Sequence, residues 1–141
     1  MREIIFRGKR PDNGEWVEGD LYHNFIYNGE SKKETRMGNI YFYGCKIHGT
    51  AFNMVDPETV GQFTGLEDKN GKRIFEGDII KNEYSQGIFR KFSVSYDGVI
   101  GCWIATYKNT SPHFLYNLIG KIEIIGNIHD NPELLEREGR E

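Results

Sequence analysis

Proline and cysteine are scarce in this sequence, long apolar runs are missing, and neither sign of charge dominates. The two cysteines, Cys45 and Cys102, lie too far apart for a local metal or redox motif, and two thiols build no disulfide scaffold. They suit a reducing compartment, so the expected location is the cytoplasm. No apolar run approaches the ~20 residues of a membrane-spanning helix, and no membrane partner is expected. The opening Met1-Arg2-Glu3-Ile4-Ile5-Phe6-Arg7 carries charge every few residues, so no signal peptide is expected there. Eighteen basic and twenty-one acidic side chains leave a net charge of −3, so nothing global attracts nucleic acid. Gly-x-Ser-x-Gly, a phosphate-binding glycine loop and His-Glu-x-x-His are all absent. The serines Ser31, Ser85, Ser93, Ser95 and Ser111 sit in no nucleophile motif, and no catalytic residues are expected.

What is present favours strands joined by turns. Aromatics make up 13% of the 141 residues, and seventeen glycines stand against four prolines. Rings suit pleated, half-buried surfaces, and glycine supplies the positive φ of tight turns. Ile4–Arg7 reads as a first strand, followed by a turn at Pro11-Asp12-Asn13-Gly14. Trp16 to His23 alternates as a second strand, and residues 28–33 form a polar loop. Asn39 to Ile47 resumes the strand pattern, whereas 49–58 is less regular. Asp56-Pro57-Glu58-Thr59 reads as a turn or a single capped helical turn. Further strands are expected over Thr59–Thr64, Ile79–Glu83, Gly87–Tyr96, Gly101–Tyr107 and Lys121–Ile128, with turns at Asn70-Gly71 and Asp97-Gly98. Asn131-Pro132 opens a short amphipathic helix.

One internal echo organises the chain. Asn13-Gly14-Glu15-Trp16-Val17-Glu18-Gly19-Asp20-Leu21 resembles Asn70-Gly71-Lys72-Arg73-Ile74-Phe75-Glu76-Gly77-Asp78-Ile79, with one residue more in the second copy. It implies two related β units, residues 1–54 and 55–141. The expected fold is all-β, two small β subdomains with a short C-terminal helix, the second barrel-like and SH3-like in part.

Several residue groups carry potential chemistry. Glu18 with Asp20, and Glu76 with Asp78, lie two apart and so share a strand face, as paired carboxylates for acid–base or metal work would. The competing reading is a bend whose aspartate bonds backbone amides. Cys45-Lys46-Ile47-His48 is half of a zinc motif, but His23, His113, His129 and Cys102 are scattered, so no metal and no cofactor is expected. Gly87-Ile88-Phe89-Arg90-Lys91-Phe92 sets Arg90 and Lys91 between Phe89 and Phe92. Cations beside rings can hold phosphates and stack bases, and Lys69, Lys72, Arg73 and Lys81 could join them if the strands pair. The plainer alternative is a hairpin with core phenylalanines and solvated charges. Tyr22, Phe25, Tyr27, Tyr41, Tyr43 and Trp103 supply aromatics for an interface, with self-association or a protein partner.

The run from Val55 to Ile80 (VDPETVGQFTGLEDKNGKRIFEGDII) is similar to the signature of the YopX family. The opening Met1–Arg7 and the closing Glu123–Leu135 resemble that family's ends, so the likeness spans nearly the whole chain. It implies an all-β fold encoded by phages or prophages, without transferable catalytic residues. Gly61, Gly65, Gly71, Gly77 and Asp78 then read as fold determinants. Glu76-Gly77-Asp78-Ile79-Ile80 also resembles the opening strand of small SH3-like barrels, which bears on fold and not on activity. The leading expectation is a non-enzymatic phage accessory protein in the bacterial cytoplasm that acts by binding, as a homo-oligomer through aromatic β surfaces. The runner-up is a nucleic-acid-binding module built on Lys69, Lys72, Arg73, Phe89, Arg90, Lys91 and Phe92. A small enzyme with a carboxylate site at Glu76 and Asp78 comes third.

Overall fold

The alternation of apolar and polar residues, punctuated by Asn-Gly and Asp-Gly, is realised as antiparallel strands. The computed structural model describes residues 2–22, 40–46, 49–108 and 110–136. The chain is mostly β with a short C-terminal helix, as the sequence predicts, and divides into two compact units, Met1–Phe63 and Thr64–Glu141. His23, Phe25, Tyr27, His48 and the polar loop over 28–33 lie outside the described residues.

In the first unit, strands β1 (Phe6–Lys9), β2 (Trp16–Tyr22), β3 (Ile40–Lys46) and β4 (Gly49–Val55) lie in the order β4-β3-β2-β1. The first residues of β5 (Gly61–Glu67) pair on the other side of β1, Gly61 opposite Arg7 and Gln62 opposite Phe6. Asn13 makes the β1–β2 turn as its type predicts: its Oδ1 accepts from Glu15 N at 2.9 Å, and Gly14 adopts φ 72°. Strand β4 falls where the sequence reads as irregular. Its pairing with β3, from Ile40↔Val55 to Lys46↔Gly49, supplies the order that its interrupted alternation lacks.

Gly8 marks a close approach within this unit. A Cβ there would lie 2.8 Å from Cβ of the buried Val55, closer than real side-chain carbons come.

The boundary between units falls at Phe63, later than the expected residue 54, for a specific reason. Asp56 caps a 3-10 turn over Pro57–Thr59 by accepting from Glu58 N at 3.0 Å. That turn is bound to β1: Asp56 N donates to Lys9 O at 2.8 Å, and Lys9 N donates to the Thr59 hydroxyl at 2.8 Å. Phe63 N then donates to Ile5 O at 2.7 Å, so the segment closes the first unit.

The second unit contains β6 (Arg73–Phe75), β7 (Asp78–Ser85), β8 (Ile88–Asp97), β9 (Cys102–Thr106), β10 (His113–Phe114) and β11 (Ile122–Asn127). Five of these form an antiparallel sheet in the order β10-β9-β8-β7-β11. Register places Ile80 opposite both Phe92 and Ile124, and Val94 opposite Ala105. Ile80, Phe92, Val94 and Ala105, together with Ile74 of β6, Ile122 and Leu115, build a buried cluster, against which Leu66, Trp103, Tyr107 and Ile124 pack. Full burial of each large apolar side chain contributes about 1.5–3 kcal/mol, so this cluster dominates the unit's stability. The described residues close with helix α1 (Glu133–Glu136), a single turn lying against β8. Asn131, at the expected opening of the helix, turns its Oδ1 back to accept from Asn127 N at 3.3 Å.

The turn between β5 and β6 is held by one buried carboxylate. Asp68, 6% exposed, accepts from Asn70 N and Lys72 N through Oδ1, both at 2.9 Å, and from Ile124 N through Oδ2 at 3.1 Å. Lys69 N donates to Ile122 O at 2.9 Å, so Asp68 and Lys69 together cap the outer edge of β11. Burial pushes the Asp68 carboxyl up, but the amides of Ile124, Lys72 and Asn70 and the nearby Lys72 charge outweigh it. Its pKa is held below the ordinary aspartate value.

Candidate functional site

Strand alternation sorts the basic hairpin of the second unit. Along β8, Phe89 and Lys91 share one face, and Arg90 and Phe92 the other. Phe92 is 2% exposed and belongs to the core, with its ring edge-on to Tyr107 at 6.4 Å and to His113 at 5.3 Å. It is a packing residue, as the plainer alternative of a hairpin with core phenylalanines expects, and not the base-stacking ring of the nucleic-acid alternative. Phe89 is 39% exposed, and Lys81 Nζ stands over its ring at 4.3 Å.

Pairing gathers cations on the outer face. Lys81 of β7 lies opposite Lys91 of β8 and opposite Glu123 of β11. A groove of about 380 Å³ opens there, lined by Lys69, Lys81, Lys121 and Phe89 together with Glu83 and Glu123. Both carboxylates have local partners. Glu83 accepts from Gly87 N at 3.0 Å and closes the β7–β8 turn, and Glu123 faces Lys69 Nζ at 3.6 Å. Lys81, Lys91 and Lys121 have no carboxylate partner among the described residues.

A second groove, about 280 Å³, lies on the other side of Phe89. Phe89, Phe92, Tyr107 and Ile88 give it apolar walls, and Arg90 and Lys91 flank it. The register of β8 with β9 runs from Ser93↔Thr106 to Asp97↔Cys102, so Ile88–Phe92 lies beyond it. The groove therefore follows a strand edge, which is why residues from both faces of β8 line it.

Five of the seven residues proposed from sequence meet around these grooves: Lys69, Phe89, Arg90, Lys91 and Phe92. Lys72 and Arg73 line neither; Lys72 N serves the Asp68 turn, and Arg73 opens β6. Lys121 and Tyr107 were missed, and no local signal marks them, because β11 and the segment after β9 arrive from distant sequence.

The paired-carboxylate idea meets different local chemistry. Asp78, 2% exposed, accepts from Phe75 N through Oδ2 at 2.7 Å and so braces the turn that Gly77 makes at φ 89°. Glu18 and Asp20 stand exposed on β2. Among the described residues no three His, Cys, Asp or Glu side chains gather to hold a metal ion, and no helix is long and apolar enough to cross a membrane.

Comparison with known proteins agrees with this architecture. The crystal structure of protein EF1440 from Enterococcus faecalis superposes with a TM-score of 0.53 and 23% identity, covering 96% of this chain and 99% of that one. At that identity the likeness shows the fold alone. No curated protein matches the sequence. The family model for YopX proteins matches residues 5–136, nearly the full length. The run Val55–Ile80, with Gly61, Gly65, Gly71, Gly77 and Asp78, falls inside that match, and the chain belongs to the YopX family.

Proposed function

We propose that this chain is a non-enzymatic phage or prophage accessory protein that acts in the bacterial cytoplasm by binding nucleic acid on its second unit. The observation that carries the reading is the clustering of Lys69, Lys81, Lys91, Lys121 and Arg90 around the exposed ring of Phe89. Cations along a groove with an accessible ring are what a nucleic-acid backbone and its bases require. The net charge of −3 makes the attraction local and strongly salt-dependent. The test is titration of labelled DNA and RNA at several salt concentrations. Each of Lys81→Ala and Lys121→Ala should reduce the slope of log K against log salt by about 1. Absence of binding at low salt refutes the reading.

Self-association is the second reading. On the β8–β9 turn, Val99 is 96% exposed, with Tyr96 at 50% and Ile100 at 54% beside it. Light scattering on nucleic-acid-free protein would reveal an oligomer, and Val99→Asp with Ile100→Asp should dissociate it. A monomer at micromolar concentration excludes this reading.

A further inference from the structure

We infer that the groove between Phe89 and Tyr107 is a nucleobase subsite, so that the ligand is a single strand with unpaired bases and not a duplex. The inference rests on the nucleic-acid reading and deepens it. Phe89 is the ridge between two grooves of different chemistry, and both of them touch it. The first is polar and carries Lys69, Lys81 and Lys121; its carboxylates, Glu83 and Glu123, are engaged by Gly87 N and Lys69, which leaves Lys81 and Lys121 to suit the phosphates of a backbone. The second, about 280 Å³, is walled by Ile88, Phe89 and Tyr107 over the core ring of Phe92. That volume lies near the lower end of small-ligand clefts, about 300–1,000 Å³, and suits one flat base.

Charge complementarity ties the two grooves to one ligand. Arg90 and Lys91 flank the apolar groove, so a base inside it carries its own phosphate towards cations on either side of β8. In a duplex the bases are stacked inside and cannot enter an apolar groove, whereas a single strand can turn one base out.

The far wall is held firmly. Tyr107 O accepts from Thr110 N at 3.0 Å and from the Thr110 hydroxyl at 2.6 Å. Between them Lys108 takes φ 37°, a left-handed conformation that side-chain-bearing residues seldom adopt. The Tyr107 ring also meets Phe92 edge-on, so the core fixes the wall's distance from the ridge.

The experiment compares single strands of equal charge, with a duplex beside them that carries the same number of phosphates. Fluorescence anisotropy would follow the full chain with labelled single strands of about 15 nucleotides, near the upper end of single-strand site sizes. DNA and RNA strands would be run beside an abasic strand of the same length and a duplex. The base-bearing strands should bind about tenfold tighter than the abasic strand, the effect expected of one stacked base. Phe89→Leu should remove that preference, so that base-bearing and abasic strands bind the variant with about equal affinity. Lys81→Ala with Lys121→Ala should weaken every strand alike. Equal affinity for base-bearing and abasic strands overturns the subsite while leaving backbone binding intact. Tighter binding of duplex overturns it as well, and no binding of any strand overturns both proposals. The DNA and RNA arms decide which sugar is preferred, and either preference supports the subsite.

Discussion

The segments Glu18-Gly19-Asp20 and Glu76-Gly77-Asp78 are the same three residues after an Asn-Gly turn, yet they take different structures. The first lies within β2, where Asp20 is exposed and its Cα pairs with Tyr43 of the next strand. The second is a tight turn between β6 and β7, with Gly77 at φ 89° and Asp78 buried against Phe75 N. One extra residue separates the Asn-Gly turn from the triplet in the second copy. The difference teaches that an aspartate's role follows from the backbone around it: within a strand Asp20 faces solvent, and after the left-handed Gly77 the Asp78 carboxylate folds back on an amide.

The largest expected effect tests that contrast directly. Asp78→Ala should lower stability by about 2–3 kcal/mol, because a buried amide loses its acceptor. Asp20→Ala should leave the melting temperature unchanged. Urea or thermal unfolding of both variants decides, and equal effects would abolish the distinction.

Gly77→Ala follows in size. A Cβ at Gly77 meets only His129 and Ile128 at ordinary contact distances, 3.5 and 3.6 Å, so sterics are not the obstacle. The left-handed φ is, and it should cost about 1–2 kcal/mol.

The turns preceding the two triplets differ in the same sense. Asn13 is exposed and serves one amide, whereas Asp68 is buried and serves three. The folded-state pKa of Asp68 is lowered, so its contribution is complete above the ordinary carboxylate range and is lost as pH falls through that lowered value. Asp68→Asn should cost about 1–2 kcal/mol at neutral pH. The variant and the parent should converge in acid. Parallel stability curves from neutral to acid pH would contradict this role.

The smallest effect belongs to the first turn's ion pair. Arg10 holds Asp12 by hydrogen bonds of 3.0 and 2.6 Å, which lower the Asp12 pKa and raise that of Arg10. The pair is solvent-exposed, and such pairs contribute little. Asp12→Asn should therefore melt with the parent, and a clear loss would show that this turn is as critical as that of Asp68.

Local chemistry was legible where a residue type does one thing. The turns at Asn13-Gly14, Asn70-Gly71 and Asp97-Gly98 stand where expected, as does the Asp56 cap. Strand β4 was not legible, because its order comes from pairing with β3 and not from its own pattern. The candidate site was half legible. Phe89, Arg90 and Lys91 announce themselves as neighbours in sequence. That Phe92 is core and Phe89 exposed, and that Lys121 and Tyr107 join them, depends on which strands lie on each side of β8.

The sequence by itself determined a β protein of YopX type, the positions of its turns, and a hairpin rich in cations and rings, because alternation and turn propensity act over a few residues. Only the tertiary structure decided which carboxylates are buried, where the first unit ends, and that two grooves meet at Phe89. Those outcomes rest on contacts between residues far apart in the chain, such as Asp68 with Ile124 and Phe92 with His113. No local pattern encodes them.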